Sequence, residues 1–279
     1  MKIRIDHKTS YIYSKPVFLE PHFLRLRPRE DPSQHVIDFS LEITPTPAGE
    51  VQGLDPESNW LTSLWFDSET EALEVTSHAI VETFRDNPFD FILTSPKFTR
   101  GGSLYTEDLR QRLGCVLTPI GGDAARDLAR SVTDGGGLME YLIGLNRLIK
   151  DSFKVVFREL GDPLTPSETI KSGEGACRDL AVLFIEACRS VGVAARFASG
   201  YLAASDVPED HSLHAWAEVY LPGAGWRGFD PTLGLLVADA HVSLAVSSLY
   251  VGAAPLTGSF RGTGADSRME TFIEVERLD

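Results

Sequence analysis

From Met1 to about Thr94, apolar and polar residues alternate in short runs. Ile3, Ile5, His7, Thr9, Tyr11 and Tyr13 fall at every second position, the period at which side chains of a strand share one face. Val17–Leu26, His35–Ile43, Trp60–Phe66 and Leu73–Phe84 are further strand-like runs. Arg29-Glu30-Asp31-Pro32, Pro45-Thr46-Pro47-Ala48-Gly49 and Asp55-Pro56-Glu57-Ser58-Asn59 separate them as turns. Several short strands at this spacing predict a β-sandwich-like domain over residues 1–95.

The period changes after Asn87-Pro88, and the stretch around Gly101-Gly102 reads as a linker into a second domain, residues 96–279. Leu104–Leu113, Asp123–Val132 and Leu138–Ser152 carry apolar residues three and four apart and are predicted helices. Leu180, Phe184, Ala187, Cys188 and Val191 recur at the same spacing until Gly192, a C-terminal cap. Cys177 therefore stands in the first turn of a buried helix. Alternation returns in His214–Leu221 and Trp226–Asp230, on either side of Pro222-Gly223-Ala224-Gly225, and predicts a hairpin.

These placements matter for chemistry. A helix N-terminus offers unpaired N–H groups and the positive end of the macrodipole, which favour a thiolate. Gly175 and Ala176, just ahead of Cys177, are candidates for substrate contact, their backbone amides facing a developing oxyanion. In the hairpin, the midpoint of positions 214 and 230 is 222, inside the turn, so His214 and Asp230 are expected to face each other across the ladder. A base and a carboxylate that fixes its tautomer are the two partners a cysteine nucleophile needs. Each residue also has a structural reading: Cys177 as a small apolar residue, His214 as a surface residue, Asp230 as a turn carboxylate. His211 competes with His214 as the base but lacks a comparably placed partner. Trp216 is a candidate groove residue, or core, as hairpin aromatics commonly are. Glu218 and Arg227 are placed to pair across the hairpin or to polarise the site.

The totals exclude some functions. Forty acidic residues against 26 basic ones leave a net charge of −14, which repels phosphate backbones and anionic membranes and argues against nucleic acid as a partner. The three cysteines, Cys115, Cys177 and Cys188, do not make a disulfide framework and fit a reducing compartment. No closely spaced ligand pair points to zinc, and no nucleotide-binding loop or calcium loop is present, so no metal or cofactor is expected. The alternating start is neither a signal peptide nor a membrane span, and the expected location is the cytoplasm.

Three segments carry a resemblance. Gly175-Ala176-Cys177-Arg178-Asp179-Leu180-Ala181, then His214 through Trp226, then Asp230-Pro231-Thr232 resemble the motifs of the transglutaminase-like superfamily, in the same order. The β-rich start is similar to the amino-terminal region of bacterial members, in His7-Lys8-Thr9-Ser10-Tyr11-Ile12-Tyr13, in Leu24-Arg25-Leu26-Arg27-Pro28-Arg29 and in Asn59. After His241, where bacterial members often have Gly-Arg-Asp before an aromatic residue, this chain has Ser247-Ser248-Leu249 before Tyr250.

The resemblance implies an α+β fold with a papain-like core, helices packed on an antiparallel sheet, and a triad of Cys177 nucleophile, His214 base and Asp230 orienter. It implies thiol-dependent hydrolysis of a peptide or amide bond through an acyl-enzyme, with a peptide or protein as substrate. Two alternatives accompany that reading: acyl transfer from a glutamine-type amide to an amine, and a binding module that keeps the fold without catalysis.

Overall fold

The computed structural model describes residues 1–94, 97–133, 136–158, 160–203 and 213–278. The amino-terminal alternation becomes strands β1 (Lys2–Leu19), β2 (His22–Leu24), β3 (Gln34–Thr44), β4 (Gly49–Leu54), β5 (Trp60–Trp65) and β6 (Glu69–Thr83). The long β1 pairs antiparallel with β6 from Lys2↔Glu82 onward, and β3 lies on the other side of β6. β2, β5 and β4 form a second sheet. The inward positions Ile3, Ile5, Val17, Leu73, Val75 and Val81 of one sheet meet Leu24 and Leu64 of the other in a dry core, which is what the period of two requires of a sandwich.

The next elements are helical: α1 (Glu107–Arg112), α2 (Gly114–Leu117), α3 (Asp123–Ser131) and α4 (Leu138–Ser152). They are followed by the short β7 (Lys154–Val155), α5 (Pro166–Ser172), β8 (Glu174–Gly175) and α6 (Cys177–Ser190). Helix α5 was not among the predicted elements, although its local signals are complete. The Thr165 hydroxyl accepts from Glu168 N–H and the Glu168 carboxylate accepts from Thr165 N–H. Pro166 opens the helix and Gly173 closes it in the left-handed region at φ 70°.

The second half is completed by β9 (Ala195–Leu202), β10 (His214–Leu221), β11 (Gly225–Asp230), β12 (Leu235–Leu236) and β13 (His241–Ser247), an antiparallel sheet in the order β12-β11-β10-β9-β13. Helices α4 and α6 cover it. Leu142, Leu145 and Ile149 of α4 and Leu180, Phe184 and Ala187 of α6 pack with Ala215, Ala217, Val219 and Phe229, and the rings of Phe184 and Phe229 stack at 5.5 Å. The fold is α+β as expected.

The last strands cross the expected boundary between the halves. Strands β14 (Leu256–Thr257), β15 (Phe260–Arg261) and β16 (Ser267–Arg277) leave the five-stranded sheet of the second half and return to the amino-terminal sandwich. β14 adds to β2, while β15 and β16 pair with β1, from Phe18↔Arg261 to Ile3↔Arg277. Ile273 enters the sandwich core beside Ile3 and Ile5. The split at residue 95 falls outside the described residues, and it does not separate the two halves, because the last strands cover an otherwise open edge of β1.

The halves share buried contacts. Tyr201, Val242 and Leu244 of the second half's sheet belong to the sandwich core, and His7 Nδ1 meets Tyr201 Oη at 2.8 Å.

Candidate active site

Cys177 is the first residue of α6, with Ala176 as its N-cap. The motif aspartate fixes this corner. Asp179, fully buried, accepts from Ala176 N–H at 2.7 Å on one oxygen, and from Leu164 N–H and the Arg158 guanidinium at 2.7 and 2.6 Å on the other. Three donors on one carboxylate hold the entry to the helix rigid and satisfy its charge.

The expected substrate contacts at Gly175 and Ala176 are corrected by the same packing. Both residues are buried; Gly175 C=O accepts from Val156 N–H at 3.1 Å, and Ala176 N–H is spent on Asp179. A β-carbon at Gly175 would sit 3.0 Å from Asp179 and 3.3 Å from Leu180, so this glycine serves close packing. The first-turn N–H of Cys177 itself, which has no acceptor inside the helix, is the remaining amide at the sulfur.

His214 opens β10 and Asp230 ends β11. His214 Nε2 and Asp230 Oδ2 are 2.7 Å apart, and the Cys177 sulfur lies 4.0 Å from the carbonyl oxygen of Leu213, the residue before His214, near enough to favour a proton on the ring. The hairpin register differs from expectation. Tyr220 pairs with Trp226 and Ala217 with Phe229, so the ladder continues Asp230 toward position 216 and not 214. The connection Pro222-Gly223-Ala224, with Gly223 at φ 92°, centres the turn one residue later than supposed. His214 reaches Asp230 as a diagonal neighbour on the same face.

Asp230 is wholly buried, and its other oxygen accepts from Thr232 N–H at 2.9 Å and Leu233 N–H at 3.3 Å. Burial opposes its charge, but the neighbouring His214 charge and the N–H donors of two histidines outweigh it and hold the carboxyl well below the usual range. Burial also opposes a charged His214. The Asp230 carboxylate, and after it Cys177, outweigh that cost and push the ring up to about 10. The arrangement can shuttle one proton between a sulfur and an imidazole while the carboxylate stays ionised.

The remaining sequence candidates fall into place. Trp216 is 1% exposed and packs among Ala198, Val246 and Val237, so the indole belongs to the core, and it borders a small cavity shared with His241 and Ser243. Glu218 pairs with Arg196 at 2.7 Å and not with Arg227, whose guanidinium lies over the Phe91 ring. Cys188 is fully buried, which raises its thiol far above the ordinary value, and Cys115 is exposed away from these groups. His211 lies outside the described residues.

One residue was missed. His241, at the start of β13, brings its Nε2 to 3.2 Å from the same Asp230 oxygen. Its signal in the sequence was only that a histidine opens an apolar strand. Ligand atoms of His214, Asp230 and His241 lie within 4.8 Å of one another, a set that suits a divalent transition metal by type. The 2.7 and 3.2 Å contacts onto one oxygen are hydrogen-bond lengths, those of two N–H donors sharing an acceptor.

Comparison with known proteins now decides the family. Residues 3–82 match the bacterial transglutaminase-like N-terminal region, and residues 127–231 match the core of the transglutaminase-like superfamily. The chain belongs to the transglutaminase-like superfamily. Its relatives include uncharacterized protein ML0607 of Mycobacterium leprae, 24% identical and covering 99% of both chains. Another is uncharacterized protein Rv2569c of Mycobacterium tuberculosis, 27% identical over 98% of this chain and 92% of the relative. A crystal structure of a candidate cysteine protease from Cytophaga hutchinsonii superposes with a TM-score of 0.77 at 23% identity, covering 100% of this chain and 91% of that one. The likeness carries the superfamily fold across both halves of the molecule. The core match ends at residue 231 and so includes Cys177, His214 and Asp230 but not His241.

Proposed function

We propose that the protein is a thiol-dependent hydrolase of peptide or amide bonds that works through an acyl-enzyme on Cys177. The observation that carries this reading is the alignment of three groups: a cysteine heading a buried helix, His214 beside it, and Asp230 bound to the far side of the imidazole at 2.7 Å. The thiol proton rests on His214, whose ring Asp230 holds in its protonated form, and the sulfur attacks the substrate carbonyl carbon as a thiolate. The resulting oxyanion meets the Cys177 N–H. The tetrahedral adduct collapses by breaking the C–N bond, and His214 gives its proton to the departing amine. Water, deprotonated by His214, then attacks the thioester, releases a carboxylic acid and returns the proton to the sulfur. An amine in place of water would give a new amide through the same intermediate. We place the activity in a reducing compartment, where the thiol persists.

The test is covalent labelling with an activated peptide amide carrying a tag, followed by digestion and mass analysis. Label is expected on Cys177, with none in Cys177→Ala. Label confined to Cys115 or Cys188 would refute the assignment. Adding a tagged primary amine separates the two outcomes of the acyl-enzyme: hydrolysis predicts free acid, while a tagged amide as the main product would make the protein an acyl transferase.

A further inference from the structure

Asp230 Oδ2 meets the Nε2 atoms of two imidazoles, His214 at 2.7 Å and His241 at 3.2 Å. An ionised carboxylate only accepts, so each of these nitrogens must carry a hydrogen. For His214 that leaves Nδ1 to face the sulfur. For His241, also buried, it leaves an Nδ1 that has no partner.

That nitrogen is not isolated in apolar surroundings. His241, Trp216 and Ser243 line a cavity of about 20 Å³, and Trp216 Nε1 and Ser243 Oγ are likewise buried without a partner. The space suits a single water. An indole N–H donates only, a hydroxyl does both, and the Nδ1 of a neutral Nε2–H imidazole accepts, so water in this cavity can accept from the indole and donate to His241. The charged groups around the cavity are Asp31, Arg85 and Glu218. Gln34 closes it from the sandwich side, and its side-chain amide holds the backbone of Ser243 in both directions, at 2.7 and 2.9 Å.

We infer that His241 is a positioning residue of the triad: held in its Nε2–H form by the polar cavity behind it, it fixes the Asp230 carboxylate so that His214 presents Nδ1 to Cys177. This rests on the triad reading above. His241 touches neither substrate nor sulfur and acts through Asp230. Without its N–H the carboxylate keeps one ring donor and is free to swing, and the His214 ring follows it.

The inference is tested on the full chain without any substrate. Long-range nitrogen NMR of the imidazoles, assigned with His241→Gln and His214→Gln, is expected to show at neutral pH a protonated Nε2 and a bare Nδ1 for His241. The opposite tautomer would overturn the inference. In the second arm, Cys177 is alkylated with iodoacetamide. Loss of a hydrogen bond to a charged group predicts a rate about tenfold lower in His241→Ala. Recovery to within about threefold is expected in His241→Gln, whose amide offers an N–H at similar reach. Equal loss in both variants at unchanged Tm would overturn it, as would a stoichiometric metal in the purified protein that disappears in His241→Ala. The NMR arm reads the ring states directly, so absence of hydrolytic activity would defeat the proposed function and leave this result standing.

Discussion

Replacing Asp230 by Asn isolates the energy stored in the buried ion pair. His214 is pushed from 6.5 up to about 10, against the effect of burial and chiefly by Asp230. At about 1.4 kcal/mol per unit, a net shift of this size is worth roughly 5 kcal/mol, most of it owed to the carboxylate. The sign follows from proton counting. Between pH 6.5 and about 10 the folded chain holds a proton on His214 that the unfolded chain has released, so stability is fully present below 6.5 and declines as pH rises through about 10. The slope contributed is at most about 1.4 kcal/mol per pH unit. In Asp230→Asn burial is opposed by the share of Cys177 alone, the ring loses most of its hold on the proton, and that slope shrinks. Urea unfolding at a series of pH values, plotted as the difference between parent and variant, is expected to show a gap of about 3–5 kcal/mol at pH 6 that closes toward pH 10. Other titrating groups cancel because both proteins carry them. Parallel curves across the whole range would refute the reasoning.

Three further outcomes are expected. Asp179→Ala leaves Arg158 and two backbone N–H groups without their shared acceptor, and denaturant unfolding should register a loss of about 3 kcal/mol. Gly200→Ala would place a β-carbon 2.0 Å from Val242 O and 2.7 Å from the Trp216 ring. Backbone cannot move aside as a side-chain tip can, so a cost above about 4 kcal/mol or failure to accumulate as soluble protein is expected. Asn59→Leu removes an amide that donates to Val246 C=O at 2.7 Å and accepts from Val246 N–H at 2.8 Å. Leaving both backbone groups buried and unpaired should lower Tm and cost about 2–4 kcal/mol in urea unfolding.

Cys177 was legible because two local signals coincide there, the three-and-four spacing of Leu180, Phe184, Ala187 and Val191, and the Gly192 cap, which together define where a helix starts and stops. His214 and Asp230 were legible because a Pro-Gly turn lies between two alternating runs. The register was not, since it depends on whether Ala224 joins the turn, and Gly223 at φ 92° with Ala224 N–H donating to Leu221 C=O decides that only in three dimensions. Trp216 carried the same pattern as a groove aromatic. Its burial comes from Ala198 and Val246 and from Gly200, where a β-carbon would sit 2.7 Å from the indole, three residues that say nothing of Trp216 until the strands are paired. The pairing of β16 with β1 joins segments at opposite ends of the chain, and no local period reports such a partner.

His241 belongs to the same class of hidden residue, and the reason shows what the sandwich contributes to the site. β13 is the outer strand of the catalytic sheet, and an outer strand has a row of N–H and C=O groups with no ladder partner. Here two side-chain amides from the sandwich stand in for the missing strand. Gln34 pairs with both backbone groups of Ser243, and Asn59 with both of Val246, while Arg29 N–H adds a bond to Ser243 C=O at 3.0 Å. An amide in this position reproduces the two-way bonding of a backbone unit, so each clamp fixes β13 in register as well as in place. His241 lies two residues before the first clamp, and its contact with Asp230 depends on that register: a slip of one residue would turn its ring to the opposite face. The sandwich therefore acts on the Asp230 carboxylate through a strand edge.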